Sequence, residues 1–167
     1  ILWFGWFRAD IIVEYRELFW RGLQMTIAVT LICIVQGTAL GLAIGMARVA
    51  EARHAPARQL CKYLLRWPST VYVSFFRGTP LFVQILLIHF AVLPLFINPV
   101  DGLLISGDAA RNIKQNYGAF VSGIVALTLN AGAYISEIFR AGIQSIDKGQ
   151  GEASRSPGMS FRRTMFH

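Results

Sequence analysis

Three long apolar stretches divide the chain, and each of them lies between charged residues. They cover 22–47, 78–100 and 115–136, and none contains Asp, Glu, Lys or Arg. Each is longer than the roughly 20 residues that a helix needs to cross about 30 Å of hydrocarbon. Because lipid offers backbone groups no hydrogen-bond partner, such stretches are expected to be helical. The pattern therefore predicts an all-α membrane protein with three transmembrane helices.

The composition agrees with a membrane protein and argues against nucleic-acid binding. The 167 residues are 54% hydrophobic and 15% charged, with a mean hydropathy of +0.49, whereas soluble domains are about 25% charged. The net charge of +7 comes from cations beside apolar blocks rather than from a basic run interleaved with aromatic residues. Two cysteines and three scattered histidines indicate neither a disulfide framework nor a metal site, and we expect no cofactor.

The cations predict how the chain is oriented. Six cations and one anion lie within 48–77, and five cations follow the third apolar stretch, whereas the cations of 101–114 are balanced by anions. By the positive-inside rule, the first loop and the C-terminal segment are cytoplasmic and the N-terminus is outside. Residues 1–21 are rich in Trp and Phe, which is typical of a helix lying on the outer surface. The alternative is the remnant of a longer N-terminal region.

Polar and small residues inside the apolar stretches suggest contacts between helices. Gly37, Gly41 and Gly45 recur every four residues, which indicates either close helix approach or the general tolerance of membrane helices for glycine. The candidates for contact with a transported substrate are Gln84, His89 and Asn130. Hydrogen bonding between helices explains each of these three polar residues equally well.

Two charged residues mark the cytoplasmic ends of the second and third predicted spans. Arg77 precedes the second span and Glu137 follows the third, so an ion pair between them could form a cytoplasmic gate. Alternatively, Glu137 pairs locally with Arg140 one helical turn later, which is worth a few tenths of a kcal/mol.

The segment 147–160 predicts a short helix, a tight turn and a second helix on the cytoplasmic surface. Asp147 is a suitable N-cap, with Gln150 three residues later as in a capping box. Gly158 suits the left-handed position after a helix end. The segment has small side chains and lacks a nucleophile–base pair, a metal cluster or a phosphate loop, so it is interpreted as a docking surface.

Three blocks of residues carry a resemblance to a known family. "GQGEASRSPGMS" resembles the EAA loop of permease subunits from bacterial ATP-binding-cassette (ABC) importers; its motif positions correspond to Glu152, Ala153, Ser154 and Gly158. "FFRGTPLFVQILLIHF" (75–90) and "NAGAYISEIFRAGIQSIDKGQ" (130–150) are similar to the polar amino acid permease subfamily. The three blocks occur in the family's order, and the resemblance extends over most of the chain after Gly22.

The resemblance implies a type I importer fold, which usually has five core helices per permease subunit. It implies two permease subunits, identical or paralogous, in the bacterial inner membrane. Two cytoplasmic ATPase subunits and an extracytoplasmic binding protein would act with them. The substrate would be an amino acid, which the sequence does not specify. The EAA loop would be the coupling helix that docks on the ATPase, and the permease itself would hydrolyse nothing.

The chain also departs from the family pattern. It stops at His167, before the two remaining helices of the family, so 22–167 is interpreted as an incomplete permease domain. Residues 1–21 are interpreted as a separate N-terminal segment. Pro157 is expected to end the coupling helix early, because proline removes a backbone donor. Two alternatives to a working permease portion are a small membrane protein whose spans oligomerise and a truncated, non-functional relic.

Overall fold

The computed structural model describes residues 9–49, 59 and 62–145, and within them the chain is almost entirely helical. A short helix, α1 (Ala9–Glu14), leads into the long α2 (Arg16–Val49). A π-helical turn, Lys62–Arg66, leads into α3 (Trp67–Gly78), and α4 (Leu81–Leu87) continues through a second π turn, Ile88–Val92, into α5 (Leu93–Phe96). The last described helix, α6, runs over Gly107–Gln144. The fold is that of an all-α membrane protein, as predicted.

Two described helices are long and apolar enough to cross a membrane. These are α2 and α6, in which an apolar stretch of 18 residues has a mean hydropathy of 2.2 and 1.5, respectively. The first predicted span, 22–47, lies inside α2, and the third, 115–136, lies inside α6. Residues 16–21 continue the same helix as the first span, so the end of the predicted N-terminal segment is not marked by a break in secondary structure.

The second predicted span belongs to a bent helix pair. Helical residues begin well before Gly78, and the segments Tyr63–Gly78 and Leu81–Phe96 meet at an angle of 111°. Pro80 precedes the first residue of α4, and Thr79 is extended, so the helix is interrupted between Gly78 and Leu81. We call this break the elbow, and the pair counts as one span if its two arms are taken together.

Helices α2 and α6 pack along their length through the glycine face of α2. A Cβ atom on Gly37 would lie 2.9 Å from the Ala131 Cβ, and one on Gly41 would lie 2.7 Å from the Ile135 Cγ2. The third glycine, Gly45, meets α6 in the same way. Close helix approach is therefore confirmed over general glycine tolerance, because no larger side chain fits between these backbones.

The order of these contacts shows that α2 and α6 run parallel. Cys33 approaches Ile124 near one end of the interface, and Gly45 approaches Phe139 near the other. Parallel packing brings the C-terminal end of α2 and the C-terminal half of α6 to the same end of the bundle. The face of α6 that is buried in the bundle consists of small residues: Ala110, Gly118, Ser122, Ala126, Gly132, Ala133 and Ser136.

The short connection between α5 and α6 is held by backbone hydrogen bonds. An isolated bridge joins Ile97 to Ile105, and Asn98 N–H donates to the Ile105 carbonyl at 3.2 Å. Gly107 starts α6 with a φ of 72°, a conformation that glycine adopts without strain. This connection reverses the chain, so the arm from Leu81 to Phe96 runs antiparallel to α6.

Candidate functional site

A carboxylate shared by three arginines lies where α2, α3 and α6 meet. The Glu137 Oε2 accepts from the guanidinium of Arg48 at the end of α2. The Oε1 of the same carboxylate accepts two hydrogen bonds from Arg140, with Nε at 2.9 Å. Arg77 completes the group, with its Nη1 at 3.9 Å from Oε2. We call these four residues the Glu137 cluster, and it carries a formal charge of +2.

Arg77 is the most loosely held member of the Glu137 cluster. Its side chain is 42% exposed, against 15% for Arg48. Its guanidinium carbon lies 5.3 Å from the ring centroid of Tyr134, within the range of a cation–π contact. Of the three arginines, Arg77 therefore makes the weakest contact with the Glu137 carboxylate.

Both sequence interpretations of Glu137 describe contacts that exist. The local pair with Arg140 forms one helical turn away, and Arg77 also reaches the carboxylate. Sequence reasoning missed Arg48. The available signal was its position eleven residues after Gly37, because about three helical turns place it on the same face as the glycines.

Two amide side chains meet at the elbow. Gln84 is 2% exposed, and its Nε2 lies 2.8 Å from the Phe76 carbonyl, 2.9 Å from the Thr79 carbonyl and 2.8 Å from the Thr79 Oγ1. The Asn130 Nδ2 on α6 donates to the Gln84 Oε1 at 3.1 Å and to the Phe76 carbonyl at 3.2 Å. The structure thus brings together two of the three candidate substrate-contact residues, and they bind each other.

The third candidate, His89, lies nearer the N-terminal end of α6. Its Nδ1 is 3.0 Å from the hydroxyl of Ser122, which is fully buried and donates to the Gly118 carbonyl at 2.8 Å. With the hydroxyl proton directed at that carbonyl, Nδ1 of His89 is the donor. His89 belongs to the π turn Ile88–Val92, and such turns are frequent at functional sites.

Further polar contacts join the helices around these groups. The Tyr72 hydroxyl on α3 donates to the Leu129 carbonyl at 2.5 Å, and the Thr128 hydroxyl donates to the Gln36 Oε1 at 3.2 Å. Among the described residues, no group of three or more His, Cys, Asp or Glu side chains could hold a metal ion. The predicted coupling loop, with Glu152, Ala153, Ser154 and Gly158, lies outside the described residues.

These features define a class of protein: a helical membrane protein whose polar and charged groups point between its helices. Residues 40–167 match the family model described as "Binding-protein-dependent transport system inner membrane component". That match covers well over half of the chain. The chain belongs to this family, and the family resemblance seen in the sequence is confirmed.

Individual relatives are amino acid permeases. The L-cystine transport system permease protein TcyB of Bacillus subtilis (strain 168) is 36% identical over 155 residues, which cover 90% of this chain and 54% of TcyB. The probable amino-acid ABC transporter permease protein YckA of the same organism is 30% identical over 165 residues, covering 99% of this chain and 61% of YckA. A crystal structure of an amino acid ABC transporter with histidines matches with a TM-score of 0.64 and 31% identity, covering 95% of this chain and 61% of that one. The chain therefore spans between half and two thirds of the length of these relatives.

Proposed function

We propose that this chain is part of the permease subunit of an ATP-binding-cassette importer that moves an amino acid across the bacterial inner membrane. The observation that carries the proposal is the match over nearly the whole chain, in both sequence and fold, to amino acid permeases. The chemistry of the helix interfaces supports it, because polar and charged groups within membrane helices commonly mark a transport pathway. The permease would contribute the pathway by alternating access, and a separate subunit would hydrolyse ATP.

The proposed topology has the N-terminus outside and the first loop and C-terminal segment in the cytoplasm. Two observations support it. The charge distribution follows the positive-inside rule, and α2 and α6 run parallel, which agrees with two spans that leave the membrane on the same side. In this orientation the Glu137 cluster lies towards the cytoplasmic end of the bundle.

We assign the Glu137 cluster the role of a cytoplasmic gate. Arg48 and Arg140 hold the carboxylate in place on α6, whereas Arg77 approaches it from the elbow at 3.9 Å. Movement of α3 would break this long contact and the hydrogen bond from Tyr72 to the Leu129 carbonyl, but it would leave Arg48 and Arg140 bound to Glu137. An ion pair that is partly exposed breaks at small cost. The gate would therefore open between α3 and α6 and leave the glycine interface of α2 and α6 intact.

The proposed partners follow from the family. They are cytoplasmic ATPase subunits, a second permease subunit and an extracytoplasmic substrate-binding protein, with 147–160 as the loop that docks on the ATPase. The relatives are named for cystine, glutamine and arginine transport, so an amino acid is the proposed substrate class.

A crosslinking experiment tests the proposal. The permease carrying Glu152→Cys, with Cys33→Ala and Cys61→Ala, is coexpressed with a cognate ATPase and binding protein, and a bifunctional thiol reagent is applied to membranes. The proposal expects a permease–ATPase adduct, together with ATP-dependent uptake of radiolabelled L-cystine, L-glutamine or L-arginine. A cysteine at Ser74, on the exposed side of α3, is the matched control and should give no adduct. An absent adduct and absent uptake would favour an oligomerising membrane protein or a relic.

A further inference from the structure

At the elbow, the Phe76 carbonyl lacks its usual donor. In an α-helix the Phe76 carbonyl would accept from the N–H of the residue four positions later, but that residue is Pro80, which has no N–H. A carbonyl without a partner is costly in a membrane, because lipid cannot replace the lost donor. The donors to the Phe76 carbonyl are instead the Gln84 Nε2 at 2.8 Å and the Asn130 Nδ2 at 3.2 Å.

Hydrogen-bond chemistry determines how both amides are oriented. The Thr79 hydroxyl donates its only proton to the Phe75 carbonyl at 2.8 Å, so its oxygen is an acceptor for Gln84. The Gln84 nitrogen therefore faces acceptors only, and an oxygen in its place would be repelled. The Gln84 Oε1 then needs a donor, which the Asn130 Nδ2 supplies at 3.1 Å. Reversing either amide would break this network.

We infer that Gln84 and Asn130 are positioning residues that clamp the elbow and so hold Arg77 at Glu137, an inference that rests on the proposed gate. Gln84 crosses the break from α4 to α3, and Asn130 fastens both arms to α6. Arg77 follows Phe76 directly, so the clamp on the Phe76 carbonyl sets where the Arg77 guanidinium can reach. Asn130 and Glu137 lie on the same helix, so α6 holds both the Phe76 carbonyl and the carboxylate that Arg77 reaches.

The clamp leaves neither amide an N–H for a substrate carboxylate. Both protons of each amide nitrogen are directed at oxygens of the protein. A substrate carboxylate would therefore have to displace a bond that the elbow needs. Gln84 and Asn130 are therefore assigned to the elbow and not to substrate binding, which the sequence had left open for both residues.

The first test measures the elbow itself and needs no transport activity. Nitroxide labels are attached to cysteines at Ser74 on α3 and Val125 on α6, both exposed, in a permease with Cys33→Ala and Cys61→Ala. Pulsed electron paramagnetic resonance then reports the distance distribution between the labels. Gln84→Met and Asn130→Leu are expected to broaden it, and the double variant should broaden it no further. An unchanged distribution in both single variants would overturn the clamp.

Two controls accompany this measurement. Thr128→Val removes a hydrogen bond to Gln36 on α2 rather than one at the elbow, so the distribution should stay as in the parent; broadening here as well would overturn the assignment to the elbow. If Asn130→Leu does not fold, Asn130→Asp replaces it, because aspartate keeps the shape and exchanges the two donors for an acceptor.

The second test asks whether the clamp acts through Arg77. Substrate-free ATP hydrolysis is measured in the assembled importer for Arg77→Gln, Asn130→Leu and the double variant. Each single change is expected to raise the rate about threefold, with no further rise in the double variant, because coupled residues do not act additively. Additive effects, or a raised KM for the transported amino acid without a change in basal hydrolysis, would overturn the positioning role. If the unaltered assembly neither hydrolyses ATP nor transports, the proposed function fails, while the distance measurement still decides the clamp.

Discussion

The Arg48 guanidinium at the end of α2 binds the Glu137 carboxylate on α6. Arg48 lies eleven residues after Gly37, the first glycine of the α2 interface. The same helix face thus carries the residues that permit close packing and the cation that fastens the end of the pair. Because small residues let the two backbones approach, the long Arg48 side chain reaches Glu137 from the next helix. The glycine face and the Arg48–Glu137 contact therefore both join α2 to α6.

The glycine face predicts a difference between two alanine substitutions in α2. A Cβ on Gly41 would lie 2.8 Å from the Ile135 Cβ and 3.0 Å from the Gly132 carbonyl, whereas nothing lies within 4 Å of a Cβ on Gly22. Gly41→Ala is expected to destabilise the permease by about 1–3 kcal/mol through overpacking. Gly22→Ala should be neutral or slightly stabilising, because alanine favours the helix by up to about 1 kcal/mol. Thermal unfolding in detergent, followed by circular dichroism, measures both, and equal effects would contradict the close packing.

Removing Arg48 should destabilise the protein more than removing an exposed arginine. Arg48→Met retains the apolar stem but takes one charged hydrogen bond from Glu137, and we expect a loss of about 2 kcal/mol. Arg111→Met is the control, because the Arg111–Asp108 pair is 3.8 Å long and its side chains are 63% and 101% exposed. Exposed pairs contribute little. Unfolding curves at low and high salt would show the larger loss for Arg48→Met; a larger loss for Arg111→Met would refute the ranking.

The Tyr72 hydroxyl should fasten α3 to α6. Tyr72→Phe removes its hydrogen bond to the Leu129 carbonyl and leaves the ring packing unchanged, so the expected loss of stability is about 1 kcal/mol. Tyr117→Phe, at a position on α6 that is 59% exposed, should have no measurable effect. Differential scanning calorimetry of the two variants separates the outcomes. No loss for Tyr72→Phe would mean that the hydrogen bond contributes nothing beyond the packing of the ring.

The His89–Ser122 contact predicts energetic coupling between the bent span and α6. Ser122→Ala leaves the His89 Nδ1 without its partner at 3.0 Å, and His89→Phe removes the other half of the pair. In a double-mutant cycle the coupling energy should be about 0.5–1 kcal/mol, the size found for hydrogen bonds between membrane helices. A coupling energy of zero would show that the two residues are neighbours without a stabilising bond. Thr128→Val in place of Ser122→Ala provides the uncoupled reference.

Much of the architecture could be predicted because apolar runs and charges report directly on the bilayer. The first and third spans lie inside α2 and α6, and the helical class is correct. The glycine spacing indicated a contact face but not its partner, because periodicity identifies one surface at a time. The second predicted span, 78–100, contains only one arm of the bent pair, whose segments Tyr63–Gly78 and Leu81–Phe96 meet at 111°.

The sequence alone determined which segments are apolar and long enough to enter the membrane, because hydrophobic length and cation placement act locally on each segment. Three short blocks of residues, in the family's order, also indicated the family. Only the folded chain decided the partners: Arg48 beside Glu137, Gln84 beside Asn130, and His89 beside Ser122. These pairs are separated by 89, 46 and 33 residues, so no local spacing rule connects them. The parallel contact of α2 with α6 brings Arg48 to Glu137. The antiparallel packing of the arm Leu81–Phe96 on α6 brings Gln84 to Asn130 and His89 to Ser122.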